Sequence, residues 1–223
     1  PVSLFSVVVF PLLGYPSFFE AQPIFSEYPL DNEITIIVVV EYDHSGIKPV
    51  TYELLNAARK LTDNGNIIAL YFTDVENVNE SPLTHYGANE IRICIHPDYH
   101  QYTHETYTAG LQSEIEKIQP DIVLMPASNS GKELSAAVAT SLGVVLASDC
   151  IELQCSVEGE VTIKRPVFAG KAYSICKLSG PKPYLITLRP NCFRGEVADE
   201  SRTSETTKVK ISLPDFLYPK LSR

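Results

Sequence analysis

The sequence predicts an α/β fold: a Rossmann-like open, mostly parallel sheet with helices on both faces, extended by antiparallel strands in the C-terminal third. Two observations support this prediction. Between residues 33 and 143, short β-branched runs alternate with segments whose apolar residues recur at helical spacing. After residue 143 the apolar and polar residues alternate, and turn-forming pairs separate the runs. The first pattern is typical of a parallel sheet and the second of antiparallel strands.

The first strand is predicted at residues 33–40, where the continuous run EITIIVVV indicates burial on both faces. The elements that follow are identified by the same two periodicities. They are a helix at 50–65, a strand at 66–72, a short helix within 77–89, a strand at 90–95, a helix at 103–119, a strand at 120–127 and a helix at 131–143. Right-handed crossovers then place the carboxyl ends of the strands along one edge, where such sheets bind ligands.

The rest of the chain is less regular. Residues 144–190 predict three or four antiparallel strands that extend the sheet. Residues 195–209 are polar and have no apolar period, which predicts a linker. We therefore divide the chain into an appended segment of unclear role at 1–30, an α/β domain at 31–194, and a polar linker and tail at 195–223.

Composition limits the classes of function. The chain has 223 residues, of which 44% are hydrophobic and 20% charged, as expected of a globular domain with a sizeable core. Its formal net charge of −9 argues against nucleic acid as the main partner, because phosphate binding needs a basic surface. The five cysteines are odd in number and form no CxxC pair, which favours a reducing compartment over a disulfide framework or a structural zinc site.

The first 19 residues carry no charged side chain. Pro11, Gly14 and Pro16 interrupt them, whereas a membrane-spanning helix needs about 20 unbroken residues. We therefore expect an appended segment without a membrane span. An interaction module tethered to a membrane through this segment remains an open alternative.

The sequence PASNSGKEL at residues 126–134 contains a Gly-Lys pair between a predicted strand and a predicted helix. A phosphate-binding P-loop is excluded, because Pro126 and Glu133 stand where a glycine and a serine or threonine are required. Ser130 and Glu133 instead match a capping box that starts a helix. The loop still precedes a helix N-terminus, which favours anions. A working or relic nucleotide site therefore remains open, formed by Ser128, Asn129, Ser130, Gly131 and Lys132.

Three basic residues, Lys164, Arg165 and Lys171, surround a tight turn in the segment KRPVFAGKAYS at 164–174. In an acidic chain such a cluster can bind an anionic ligand or a carboxylate of a partner. The alternative is a hairpin whose charges are simply exposed to solvent.

Two further groups of side chains could carry chemistry. His96, His100 and His104 are spaced for a metal site on one helix face, but Pro97 breaks the helix they would need. Glu41 and Asp43 follow the first strand, where paired carboxylates act in acid–base chemistry or, more often, only face solvent. We identify no catalytic nucleophile, no acid–base residue and no metal site.

Four segments of the sequence resemble one known family. They are ITIIVVVEYDHSGIKPVTYELLNAARKL, YGANEIRI, PDIVLMPASNSGKELSAAVATSLGVVLASDC and RPVFAGKAYSICKLSGPKPYLITLRPNCF. Together they resemble the N-terminal domain of the electron transfer flavoprotein α subunit, from about Glu33 to Phe193. The loop and helix at 126–143 and the Arg-Pro-x-x-x-Gly-Lys-Ala motif at 165–172 are the most specific parts.

The resemblance implies an adenine nucleotide α-hydrolase-like fold and an electron carrier rather than a conventional enzyme. Members pair with a β subunit (the ETF beta subunit) and form a heterodimer that contains FAD. The heterodimer carries electrons from acyl-CoA dehydrogenases of fatty acid β-oxidation, and from other dehydrogenases, to a membrane quinone oxidoreductase or another acceptor. The implied location is the cytoplasm of a prokaryote or the mitochondrial matrix. The related domain of the β subunit binds AMP through a loop comparable to Asn129–Lys132, whereas the α loop is normally unused.

The same resemblance implies that FAD is held chiefly by a C-terminal domain that follows the linker. Glycine-rich segments of that domain are not found in this sequence, and residues 208–223 resemble the stretch that precedes it. We therefore expect this chain alone not to bind FAD tightly, and we assign it no flavin-contacting residue. The alternative function is a stand-alone domain that binds or hydrolyses adenine nucleotides through residues 128–132, with Lys132 and Arg165 as anion partners.

Overall fold

The computed structural model of the protein describes residues 8–11, 33–156 and 158–214. Its strands form three sheets. In chain order the strands are β1 (Val8–Pro11), β2 (Thr35–Val39), β3 (Tyr42–Asp43), β4 (Gly46–Ile47), β5 (Asn66–Thr73), β6 (Glu90–Ile95), β7 (Ile122–Pro126), β8 (Leu146–Cys150), β9 (Glu152–Cys155), β10 (Val161–Val167), β11 (Ala172–Lys177), β12 (Tyr184–Leu188) and β13 (Glu205–Lys210). The main sheet has seven strands in the order β13-β6-β5-β2-β7-β12-β8, and every pair in it is parallel.

Four α-helices connect these strands and cover both faces of the main sheet. They are α1 (Pro49–Arg59), α2 (Ser81–His85), α3 (His104–Ile118) and α4 (Asn129–Leu142), and a short 3₁₀ helix lies at Pro97–His100. Successive residues of a strand point to opposite faces. Ile36 and Val38 accordingly pack in one apolar cluster with Leu54 of α1. Ile37 belongs to the opposite cluster, together with Leu111 of α3 and with α4. The predicted fold class is confirmed, as are the helices and strands predicted up to residue 143.

The strands after residue 143 are arranged differently from the expectation. Antiparallel strands are present, but β9, β10 and β11 form a separate four-stranded sheet with β1 and do not extend the main one. Strands β8 and β12 instead join the main sheet in parallel, with β12 between β7 and β8. The local alternation of apolar residues indicates a strand, but it does not specify with which distant strand it pairs.

Part of the segment expected to be a polar linker is also ordered. Strand β13 pairs in parallel with β6, from Glu205 opposite Glu90 to Lys210 opposite Ile95. Upstream of it, the backbone N–H of Ala198 donates to the carbonyl of His85 at 2.8 Å. An edge strand that buries little side-chain surface has no apolar period, so its sequence reads as a linker.

The expectations for the two ends of the chain fall mostly outside the described residues. Within the appended segment at 1–30, only residues 8–11 are described, and they pair with β11. The tail is described as far as residue 214. In the described parts of the chain, none of the helices combines the length and the apolar character that crossing a bilayer requires.

Candidate functional site

The loop between β7 and α4 lies at the carboxyl edge of the main sheet. The backbone N–H of Ala127 donates to the carbonyl of Leu188 at 2.8 Å, which joins the ends of β7 and β12. The Ser128 hydroxyl accepts a hydrogen bond from the N–H of Gly131 at 3.1 Å and caps α4. The first-turn N–H groups of Asn129 and Ser130 have no intrahelical acceptor, as at any helix N-terminus.

The capping prediction was correct in kind but wrong in its residues. The N-cap is Ser128, and Ser130 already lies within the helix. The carboxylate of Glu133 extends toward solvent, with one oxygen 4.0 Å from Nδ1 of His104. The helix begins two residues earlier than predicted, because the Ser128 hydroxyl accepts the hydrogen bond from the N–H of Gly131 and so acts as the N-cap.

Gly131 allows α4 to approach the end of β7 very closely. A Cβ atom built on Gly131 would lie 1.9 Å from the carbonyl oxygen of Pro126. A carbon and an oxygen that are not bonded cannot approach to this distance. Packing of α4 against β7 therefore requires the glycine of the Gly-Lys pair, whether or not the loop binds a ligand.

Lys132 is the one basic residue of the loop, and it faces a carboxylate. Its Nζ lies 3.8 Å from Oδ1 of Asp149, at the end of β8. Arg189, which follows β12, donates to both carboxylate oxygens of Asp149, from Nε at 3.1 Å and from Nη2 at 2.5 Å. The backbone N–H of Asp149 donates to Oγ1 of the buried Thr187 at 2.8 Å. The first turn of α4 and the ends of β8 and β12 thus meet in one ion-pair cluster.

Hydrogen bonds from Arg189 and the nearby positive charge of Lys132 lower the pKa of Asp149. The carboxylate is therefore ionised at neutral pH and already supplies the negative charge that Lys132 needs. A phosphate placed at this helix N-terminus would compete with Asp149 for Lys132 and would be repelled by it. The arrangement is suited to holding α4, β8 and β12 together more than to receiving a nucleotide.

The basic hairpin predicted at residues 164–174 is formed by β10 and β11. Its three basic side chains have different surroundings. Lys164 forms an ion pair with Glu152 at 2.6 Å and lies over the ring of Tyr173. Arg165 points between the two larger sheets, where its Nε is buried. Lys171 is exposed at the turn. Among the described residues, no hydrogen bond or ion pair connects this hairpin to the loop at 128–132.

The remaining candidates have local structural partners. His96 accepts a hydrogen bond from the N–H of Asp98, and His104 lies at the start of α3, where its Nδ1 is 3.2 Å from Glu105. In the described part of the chain no three metal-binding side chains are grouped as a metal site. Glu41 forms an ion pair with Lys48 at 2.9 Å.

Two members of the ion-pair cluster, Asp149 and Arg189, were missed by the sequence reasoning. Asp149 lies at the end of an apolar run that proved to be a parallel strand, in ASDC, and Arg189 follows another such run, in TLRP. A charged residue after such a run is a signal for the carboxyl edge of a sheet. The signal was missed because both runs were predicted to be antiparallel, and antiparallel strands do not share one edge.

Comparison with known proteins identifies a family for this architecture. The family model described as "Electron transfer flavoprotein domain" matches residues 36–214. The "Electron transfer flavoprotein subunit alpha" of Bacillus subtilis (strain 168) is 29% identical over 181 residues, which are 81% of this chain and 55% of that protein. The "Protein FixB" of Azotobacter vinelandii is 30% identical over 186 residues, 79% of this chain and 51% of that protein.

A third relative, the "Electron transfer flavoprotein subunit alpha" of Megasphaera elsdenii, is 28% identical over 184 residues, 81% of this chain and 54% of that protein. The chain thus spans about half the length of the curated relatives it matches. The matched region contains the main sheet from β2 to β13 and the whole Lys132–Asp149–Arg189 cluster.

Proposed function

The chain belongs to the electron transfer flavoprotein family, and on that premise we propose that it is the scaffold and docking domain of an α-type subunit that pairs with a β subunit. Its work is to hold the partner subunit and to help position the flavin-binding part of the complex. The complex then carries electrons from dehydrogenases, such as acyl-CoA dehydrogenases, to a quinone oxidoreductase or another acceptor. In this role the residues that the structure describes supply no acid–base or nucleophilic group to the transfer.

One observation supports the scaffold role most directly. At the carboxyl edge of the main sheet, where related folds bind nucleotides, the charge of Lys132 beside the α4 N-terminus is already paired with Asp149, which Arg189 also holds. A carboxylate that is held by a bidentate arginine does not leave its site for a weakly bound anion. The edge therefore stabilises the domain, and its binding functions lie on other surfaces.

The described residues do not fit an FAD. When bound, FAD supplies a flavin ring that accepts and releases electrons, and proteins hold its pyrophosphate at a helix N-terminus behind a glycine-rich turn. The N-terminus of α4 follows Pro126-Ala127-Ser128, which is not glycine-rich, and Asp149 repels a pyrophosphate there. We propose that the FAD of the complex is held mainly by residues other than these.

The alternative function is binding or hydrolysis of adenine nucleotides at residues 128–132. Calorimetry with AMP and with ATP separates the two proposals, with Lys132→Ala as the matched variant. For a scaffold we expect no detectable heat from either nucleotide. Micromolar binding that Lys132→Ala abolishes would replace the scaffold proposal with the nucleotide one.

Co-expression with the cognate β subunit tests the pairing itself. We expect the two chains to elute together in size-exclusion chromatography, at a stoichiometry of one to one. Separate elution at micromolar concentrations would refute the docking role.

A further inference from the structure

A cavity of about 540 Å³ lies between β8 of the main sheet and the β10–β11 hairpin. This volume is in the range of cavities that bind ligands or side chains of partner proteins. Its lining is almost entirely apolar and combines both sheets. The hairpin contributes Ile163, Arg165, Val167, Phe168, Ser174 and Cys176 to this lining.

The hairpin presents one of its faces to this cavity. Ile163, Arg165 and Val167 alternate along β10, so their side chains share that face. Ser174 stands opposite Arg165 on β11, and its hydroxyl lies 3.1 Å from the sulfur of Cys176, so these two polar groups satisfy each other. Among the described residues that line the cavity, Arg165 is the only charged one.

Arg165 has a donor without an acceptor. Its Nε is buried, and no hydrogen-bond partner for it exists among the described residues. Leaving a buried N–H of a charged group unpaired costs free energy, which folded proteins normally avoid. A carboxylate is the group that pairs most strongly with a guanidinium in this state.

Phe168 marks the mouth of the cavity. Its side chain is 72% exposed, the highest among the large hydrophobic residues described as exposed. Its φ of 50° is in the left-handed region, which bulky residues rarely adopt. Ala169 has a φ of 54°, and the turn is closed by a hydrogen bond from the N–H of Gly170 to the carbonyl of Val167 at 3.1 Å. Positive φ at both central residues is what a tight hairpin turn requires, and this turn holds the ring of Phe168 out in solvent beside the cavity.

From these three observations we propose that the cavity receives a segment of the β subunit in which an apolar side chain is followed by a carboxylate. The apolar side chain fills the space between the sheets, the carboxylate pairs with Arg165, and Phe168 covers the entry. This inference rests on the proposed pairing with a β subunit and identifies the surface that makes it. The positive charge of Arg165 complements an acidic partner group, although the chain as a whole is acidic.

The test is a titration of the full chain with its β subunit, with the dissociation constant measured at low and at high salt. Arg165→Met keeps an apolar stem of similar length and removes the charge, and Phe168→Ser removes the exposed ring. We expect each variant to weaken binding by roughly tenfold or more, as substitutions at the centre of an interface do. Arg165→Met should also reduce the dependence of the dissociation constant on salt.

Two matched controls belong to the same titration. Lys177→Gln removes a cation from the opposite face of the same hairpin, and Val75→Ser removes an exposed apolar side chain that is not part of the cavity lining. Both controls should bind as the unchanged chain does. A photo-reactive phenylalanine analogue placed at position 168 provides a second readout, because it should form a cross-link to the β subunit whether or not the affinity changes.

The possible outcomes separate this inference from the proposed function. If the unchanged chain binds the β subunit while both cavity variants bind equally well and no cross-link forms, the cavity assignment is overturned and the pairing stands. If the unchanged chain does not bind the β subunit at all, the pairing fails and the cavity assignment fails with it. If decanoate binds the cavity at micromolar concentration and leaves the affinity for the β subunit unchanged, the cavity holds a small apolar acid and the assignment to the β subunit is wrong.

Discussion

Replacing Gly131 with alanine tests whether α4 is packed on β7 as closely as the structure requires. The added Cβ would lie 1.9 Å from the Pro126 carbonyl oxygen and 3.0 Å from its carbonyl carbon. Both atoms belong to the backbone at the end of β7, an interior strand of the main sheet, so a side-chain rotation cannot relieve the overlap. The N-terminus of α4 must therefore move outward.

The expected magnitude follows from two opposing effects. Overpacking of a close contact costs about 1–3 kcal/mol, and contact with backbone places this case near about 3. Alanine is favoured over glycine inside a helix by about 1 kcal/mol. We therefore expect Gly131→Ala to lower the free energy of unfolding by about 2 kcal/mol, or the melting temperature by roughly 4–8 °C for a domain of this size.

Urea unfolding followed by circular dichroism measures this difference. Asn129→Ala is the matched control, since Asn129 is exposed in the first turn of the same helix and its replacement should change stability by no more than about 0.5 kcal/mol. If Gly131→Ala were as stable as the control, the close approach of α4 to Pro126 would be refuted. Hydrogen exchange at the start of α4 should increase in Gly131→Ala and not in Asn129→Ala.

Three further predictions concern individual side chains. Glu53→Ala should lower the free energy of unfolding, measured in urea, by about 2–3 kcal/mol. The reason is that the buried Glu53 carboxylate accepts hydrogen bonds from the backbone N–H groups of Asn191 and Phe193. An unchanged midpoint of urea unfolding would show that these hydrogen bonds do not stabilise the fold. Asp149→Asn should be less stable than the unchanged chain at neutral pH. The folded-state pKa of Asp149 is lowered. The ionised carboxylate therefore stabilises the fold fully above its unfolded pKa of about 3.9, and this stabilisation is lost as pH falls through the lower folded-state pKa. The stabilities of Asp149→Asn and the unchanged chain should converge in acid, and a difference that persists there would exclude the ion pair as its cause. Alkylation with iodoacetamide, followed by mass spectrometry, should label the exposed Cys192 in the native protein and Cys150 only after unfolding. Burial raises the pKa of the Cys150 thiol to about 12, so little reactive thiolate forms in the folded protein. Labelling of Cys150 in the native protein would show that β8 opens.

The sequence alone determined the elements whose apolar residues follow a local period. The run at 33–40 predicted β2, and Leu54 and Ala58 predicted the buried side of α1, because burial on a sheet face requires apolar residues at fixed spacing along the chain. The end of this helix was predicted too late, since α1 ends at Arg59 and not near Gly65. The same local reasoning showed that a helix begins near Ser130, and it excluded a P-loop from the identities of Pro126 and Glu133 alone.

Only the tertiary structure decided which strands are neighbours and which charges meet. Asp149 and Arg189 are 40 positions apart, and their ion pair exists because β8 and β12 lie side by side in parallel. The cavity beside Arg165 likewise forms where two sheets face each other across β8 and β10. Local periodicity reports whether a residue is buried. It does not report which distant residue lies against it, because strand order depends on the packing of the whole chain.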